Sequence, residues 1–443
     1  MQSDKDIDLD GGGKIALSGG KVTRLFNGWS GKTMTFRNLI VRDGYFDASN
    51  MGAGNQQGAA AIHTNFRGGI IAENVQFLDN VSVNGLTRSE RNGGAVSTHE
   101  SGIAIFYNTL FKGNRGQLGS AINNLLTNLQ VVNSSLLNNT LDEEGFGGAI
   151  YSDGALRTYD NPQSPSTSPF TSNGTVDICG SVLDGNKGGY SGALYTCGYA
   201  NDQTTVDRTV INGNTTGNVK GVANGGGITS QCNGRLLVKN STISNNSAKG
   251  YGGGIAQGTG NDRKPLDRMV ILNSTITGNR TTLLDDKSGK NDGGVGGGIF
   301  AYGPATNHLF NNVTITNNSS GQGGGVLFND PTNAVVTNAI IANNLSTNPY
   351  NMAKNCGGPF LNGTGVVEFP AIVNGKACTT SPNYADPGLS GVSLANHGGP
   401  TPTLMPPASS AARGIGISCE ATDQRGVGRA ARCDAGAVLI DTP

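Results

Sequence analysis

His63, His99, Tyr151, Asp153 and Tyr195 share one register: each lies one or three places after the aliphatic residue that ends a Gly/Ala-rich phrase. If these phrases are strands with the aliphatic turned inward, the five side chains turn outward onto one face. The chain has 4 histidines, so two of them on one face is a concentration with chemical meaning. Tyrosine can stack on sugar rings, and His, Tyr or the neighbouring Arg67 could move a proton in β-elimination of a uronic acid. Arg67, Glu100, Tyr151, Tyr195 and Gln231 are the corresponding sugar-contact candidates. The plainer reading is that any outward column of a long repeat holds some polar and aromatic residues.

A glycoside hydrolase instead needs two carboxylates about 5 to 9.5 Å apart. Glu143 and Glu144 precede a Gly-Gly turn and Asp153 follows it, but no repeated register pairs them on adjacent strands. Hydrolysis therefore ranks below elimination, and both rank below non-catalytic binding. Asp285, Asp286 and Asp292 offer the hard oxygen ligands that Ca²⁺ takes. Their spacing is not that of a known calcium loop, so a solvated loop is the preferred reading and no other cofactor is expected.

The elements that would position these groups come from two alternating phrases. One is Asn240-Ser-Thr-Ile-Ser-Asn-Asn246, repeated as Asn273 to Asn279, Asn312 to Asn318 and Asn338 to Asn344. The other is Gly-Gly-small-aliphatic, as at Gly93 to Val96, Gly147 to Ile150, Gly225 to Ile228, Gly252 to Ile255 and Gly296 to Ile299. Traced backwards, the first Asn of the phrase falls at Asn38, Asn74, Asn108 and Asn133, with Gly180 and Arg208 as substitutes, which makes about ten rungs. A fixed two-phrase order at this period defines a solenoid.

β-branched residues alternate with small polar ones, and no run has apolar residues at helical spacing. Glycine, 70 of 443 residues, disfavours helix and supplies tight turns. Sandwiches do not repeat one phrase at one register, and a propeller blade needs four strands in about 40–45 residues. The expected fold is all-β: a right-handed parallel β-helix. Equal phrase positions then stack about 4.8 Å apart, and the recurrent Asn amides bond along the column and to turn backbone, holding turns rather than a ligand. The Gly pairs are corners and not phosphate loops, since no helix follows them.

Basic and acidic residues balance at 31 each, which gives no electrostatic case for nucleic acid. No apolar run approaches the ~18 residues of a membrane span. The opening residues are no signal peptide, yet strand–turn–strand patterning begins at Ile7, so an export segment is expected upstream. Of 7 cysteines, Cys356 with Cys378 and Cys419 with Cys433 would each close a short Gly-rich loop. Stacking of rungs would pair Cys197 with Cys232, leaving Cys179, although Cys179 with Cys197 is an alternative. Such pairing implies an oxidising, exported location. The repeat occupies 1–345, with insertions at 155–172 and 281–293; residues 346–443 read as the last rungs and a disulfide-tied cap over strand edges.

Asn396-His-Gly-Gly-Pro-Thr-Pro-Thr403, Thr422-Asp-Gln-Arg-Gly-Val427, Cys433-Asp-Ala-Gly-Ala437 and the opening Leu9-Asp-Gly-Gly-Gly-Lys-Ile15 resemble bacterial surface proteins with a choice-of-anchor Q domain. The Gly-Gly-Ala-Ile and Phe-x-x-Asn phrases are also similar to the repeats of chlamydial polymorphic membrane proteins, which are adhesins. The resemblance spans essentially the whole chain and implies the β-helix and a cell-surface setting. It carries no catalytic residues to transfer. One departure is Ser409-Ser-Ala-Ala-Arg413, where the family has Ser-Pro-Ala-Ile-Asp, and no sorting signal follows Cys433. The combined expectation is a secreted or cell-surface glycan-binding or adhesion module, monomeric unless its ends stack. A polysaccharide lyase, less favourably a hydrolase, and a structural spacer or filament subunit are the alternatives.

Overall fold

The computed structural model describes residues 2–50, 58–84, 93–100, 102–141, 145, 147–159, 170–199, 201–216, 223–258, 269–282, 294–302, 308–328, 334–347, 355–357, 361–371, 377–430 and 432–441. It forms two compact units, Met1–Thr205 with Thr215–Lys220, and Val206–Asn214 with Gly221–Pro443. The change from repeat to tail at residue 345 falls inside the second unit.

In the first unit each rung gives one strand to each of three parallel sheets. Phe26–Gly28, Ile62–Thr64, Val96–Thr98, Ile122–Leu125, Ile150–Asp153 and Leu194–Gly198 pair in turn. The second sheet runs through Ile7–Ser18, Thr33–Arg42 and Gly69–Leu78, then through split strands such as Ile103–Tyr107 with Leu110–Lys112. Short strands from Tyr45–Asp47 to Thr215–Thr216 make the third. The second unit repeats the scheme, for example in Met269–Thr277 and Leu309–Thr316. Both units are thus parallel β-helices, as the phrases require.

Equal phrase positions stack inside. Ile243, Ile276, Ile315 and Ile341 occupy one column and are fully buried. In the first unit the same place takes aromatics: the rings of Phe77 and Phe111 stack at 4.8 Å. Burying such side chains contributes about 1.5–3 kcal/mol each.

The asparagines fall into two columns with different physics. The first Asn of each phrase is left-handed, with φ of 51, 54, 48 and 48° at Asn38, Asn74, Asn108 and Asn133, and it bends the strand. Asn tolerates that region through local hydrogen bonding and Gly has no Cβ to clash, which explains Gly180 at φ 60°. The last Asn of each phrase is buried. In the first unit the ladder runs Asn80, Asn114, Asn139, Asn186, and in the second from Asn214 through Asn246, Asn279, Asn318 and Asn344 to Asn355. Each Oδ1 accepts both the amide N–H and the Nδ2–H of the preceding rung's Asn, as when Asn246 donates twice to Asn279 at 3.0 and 2.9 Å.

The tail is tied by Cys356–Cys378 and Cys419–Cys433, with Cα separations of 5.3 and 6.4 Å. Pro382–Asn383 pairs with Val366–Phe369 and so covers a terminal edge. The chain then runs back along the flank of the second unit as a strap. Leu389, Leu404, Ala412, Ala435 and Ile440 pack on outward-facing Ile340, Ala342 and Val367. Further back, Gln424 Nε2 donates to Thr242 Oγ1 at 2.8 Å and to Ser241 O at 3.2 Å, and Thr275 Oγ1 donates to Gln424 Oε1 at 2.7 Å. The tail therefore does more than close the last rung. Glu420 reaches Asn311, Arg429 and Gln424 reach Asn273 and Thr275 of the rung before it, and Gln424 reaches on to Thr242 of the rung before that.

Candidate functional site

His63, Ser97, Asn123, Tyr151 and Tyr195 stand in one column, each opposite the next in the parallel register. The ladder expected from the phrase therefore forms, but it is not an open face. Relative exposures are 5, 3, 7, 9 and 4% along it. Asn123 Nδ2 donates to Ser97 Oγ at 3.2 Å, and the rings of Tyr151 and Tyr195 stack at 5.0 Å with 7° between their planes.

Burial holds the His63 imidazole far below its usual range, down to about 3, with the Arg24 guanidinium and His99 adding to the effect. Arg24 is half-buried, its guanidinium 4.0 Å from the Phe46 ring centre and its Nε donating to Ala59 O at 2.9 Å. His63 is consequently a neutral, enclosed group and no reservoir of protons near neutral pH. Burial, and after it the Asp153 carboxylate, push the Tyr151 hydroxyl well above the ordinary phenol range.

The column two places further along forms the edge of this face. Leu125 opposes Asp153, and Asn65, His99, Leu125 and Asp153 are all half-buried. Asp153 is clamped: Tyr199 Oη donates to its Oδ1 at 2.6 Å and Tyr151 Oη to its Oδ2 at 3.3 Å. Tyr199 is anchored by its own N–H, which donates to Asp202 Oδ2 at 2.9 Å. At the other end, Arg67 is left-handed at φ 59° and exposed, its guanidinium 5.0 Å from the Phe66 ring centre. Its backbone N–H donates to Glu100 O at 2.7 Å. His99 is half-buried, and burial lowers its pKa. Arg67, Glu100, His99, Asp153 and Tyr199 thus lie along one polar ledge of the first unit.

Gln231 lies half-buried on Ile228–Cys232 of the second unit. Cys197 belongs to the first unit and Cys232 to the second, and their pairing stays an expectation. Cys179 is a half-buried thiol ending Thr175–Cys179. Asp285, Asp286, Asp292, Glu143 and Glu144 lie outside the described residues. Among the described residues no group of three or more His, Cys, Asp or Glu side chains is placed to hold a metal ion, and no helix is long and apolar enough to cross a membrane.

Tyr199 was not singled out by the sequence, because it sits beyond the strand phrase in the following turn. Glu368 was missed as well. It is fully buried, accepting the Cys378 N–H at 2.8 Å, and burial pushes its pKa up to about 7.

No protein-family model, curated protein or solved structure matches this chain.

Proposed function

We propose that the protein is an exported cell-surface or extracellular module that binds polysaccharide along the ledge of Arg67, Glu100, His99, Asp153 and Tyr199. The carrying observation is the Asp153 clamp. Two phenol donors hold the carboxylate in one orientation, and a carboxylate has about four lone-pair sites, so acceptor capacity remains for sugar hydroxyls. Rungs about 4.8 Å apart place the other polar groups of the ledge along the same direction as an extended polymer. Arg67 adds a bidentate donor for an acidic sugar. The two tail disulfides suit an oxidising compartment, and the tail motifs' resemblance to choice-of-anchor Q proteins supports the surface setting.

Enclosure of His63 favours binding over catalysis. The lyase reading rests on His99, half-buried at the ledge and held towards its neutral, proton-accepting form by burial. The test is retention of the protein on immobilised acidic and neutral polysaccharides while absorbance near 235 nm is followed in solution. Retention without absorbance is expected. A rise in absorbance that disappears in His99→Ala would establish the lyase, and no retention on any polysaccharide would refute both readings.

A further inference from the structure

The left-handed asparagines meet different fates in the two units. In the second, Asn273, Asn312 and Asn338 are 5, 0 and 0% exposed because the strap lies on them. Asn312 Oδ1 accepts Glu420 N–H at 3.0 Å and its Nδ2 donates to Asp434 O at 3.3 Å. Asn338 both donates to and accepts from the Ile417 backbone. Asn312 and Asn338 there act as a rail that captures peptide groups of the strap, and Asn273 Oδ1 accepts from the Arg429 guanidinium.

In the first unit the same rail is uncovered: Asn74, Asn108 and Asn133 are exposed and Asn38 is half-buried. Asn108 donates to Asn74, Asn74 to Asn38 at 3.0 Å, and Asn38 to Asp10 at 3.1 Å. Every carboxamide has two donor hydrogens and two acceptor lone pairs, so the one bond each way at Asn38 and Asn74 leaves further capacity. Apolar surface flanks the rail, with Ile103 and Tyr107 40 and 45% exposed and Ile105 and Leu110 half-buried beside them.

We propose that the rail of Asn38, Asn74, Asn108 and Asn133 docks an extended polypeptide strand carried by another molecule, its backbone read by the carboxamides as the strap's is. The chemistry of the partner follows from the strap: backbone N–H and C=O groups free to meet the carboxamides, as at Ile417, Glu420, Asp434 and Gly436. Apolar side chains on the partner would reach Ile105, Tyr107 and Leu110. This is a polypeptide site, distinct from the polysaccharide ledge.

The probe is a synthetic peptide of residues 412–441, closed by its Cys419–Cys433 disulfide, titrated against the full chain by fluorescence anisotropy. Gly occupies the same left-handed place at Gly180, so Asn74→Gly with Asn108→Gly removes the carboxamides without backbone strain. Saturable binding is expected, weakened at least tenfold by that double variant and by Tyr107→Ser, and unchanged by Asn338→Gly. Absence of binding overturns the proposal. So does binding that responds to Asn338→Gly and not to the first-unit variants, which would be exchange with the chain's own strap.

Discussion

Asn338 holds Ile417 as a neighbouring β-strand would: its Nδ2 donates to Ile417 O at 2.9 Å, and its Oδ1 accepts the Ile417 N–H at 2.9 Å. One side-chain amide replaces a ladder contact and joins residues 79 apart in sequence. The same residue is left-handed at φ 51°, so its two roles can be separated by substitution. Asn338→Gly removes these two hydrogen bonds and the one that Nδ2 donates to Asn311 Oδ1 at 2.9 Å, about 1 kcal/mol each. Asn338→Ala adds the left-handed strain of about 1–2 kcal/mol. Denaturant unfolding is expected to rank wild type above Gly and Gly above Ala; a Gly variant as stable as wild type would mean that the strap contact contributes nothing.

The buried ladder is the more sensitive column. Asn279→Ala would leave the N–H and Nδ2–H of Asn246 and the Ile243 carbonyl without partners in the interior. At about 1–3 kcal/mol for each buried unsatisfied group, a loss of several kcal/mol is expected. Asn245→Ala, at an exposed left-handed position of the preceding phrase, is expected to cost only its strain and one exposed hydrogen bond, to Asn212 Oδ1. Thermal melts of the two variants side by side check the difference.

Glu368 makes stability depend on pH. Its folded pKa of about 7 lies above the usual carboxyl value because of burial, so the folded state binds the extra proton. Its contribution is complete below about pH 4.3 and declines as pH rises towards 7, by roughly 3 kcal/mol as an upper figure. Glu368→Gln keeps an acceptor for the Cys378 N–H and removes the titration. The variant is expected to gain on wild type between pH 4.5 and 8 in urea unfolding; parallel pH profiles would contradict the assignment. His63 tilts the other way, since its lowered pKa destabilises the fold as pH drops from about 6.5 towards 3.

Peptide mapping without reduction is expected to return Cys356–Cys378, Cys419–Cys433 and Cys197–Cys232. A Cys179–Cys197 peptide would replace the third pairing with its alternative. Reduction should loosen the strap first, because closing a loop of about 15 residues stabilises by about 3 kcal/mol. Faster hydrogen exchange around Ile417 and Gln424 in reductant is the readout.

The fold was legible because a period-two strand phrase recurs: Ile243, Ile276, Ile315 and Ile341 announce their column by position alone. The ladder from His63 to Tyr195 was legible for the same reason. Its burial was not, since that depends on ring stacking and on groups such as Arg24 that come from outside the phrase. The strap was hidden too. Thr242 and Thr275 look like ordinary outward strand residues, and only contacts with Gln424, 182 and 149 residues away, reveal their role. Those contacts also give the tail motif around Asp423 and Gln424 a physical purpose. Asp423 accepts Arg425 Nε at 2.9 Å and the backbone N–H groups of Arg425, Val427 and Leu439, which knots the strap for docking.

The most direct test of the polysaccharide ledge is hydrogen exchange of the protein with and without the best-retained polysaccharide, repeated on Asp153→Asn. The account predicts slowed exchange confined to segments around Arg67, His99 to Gly102 and Asp153, and at least tenfold weaker retention of the variant. Protection elsewhere, or full retention by Asp153→Asn, would contradict it.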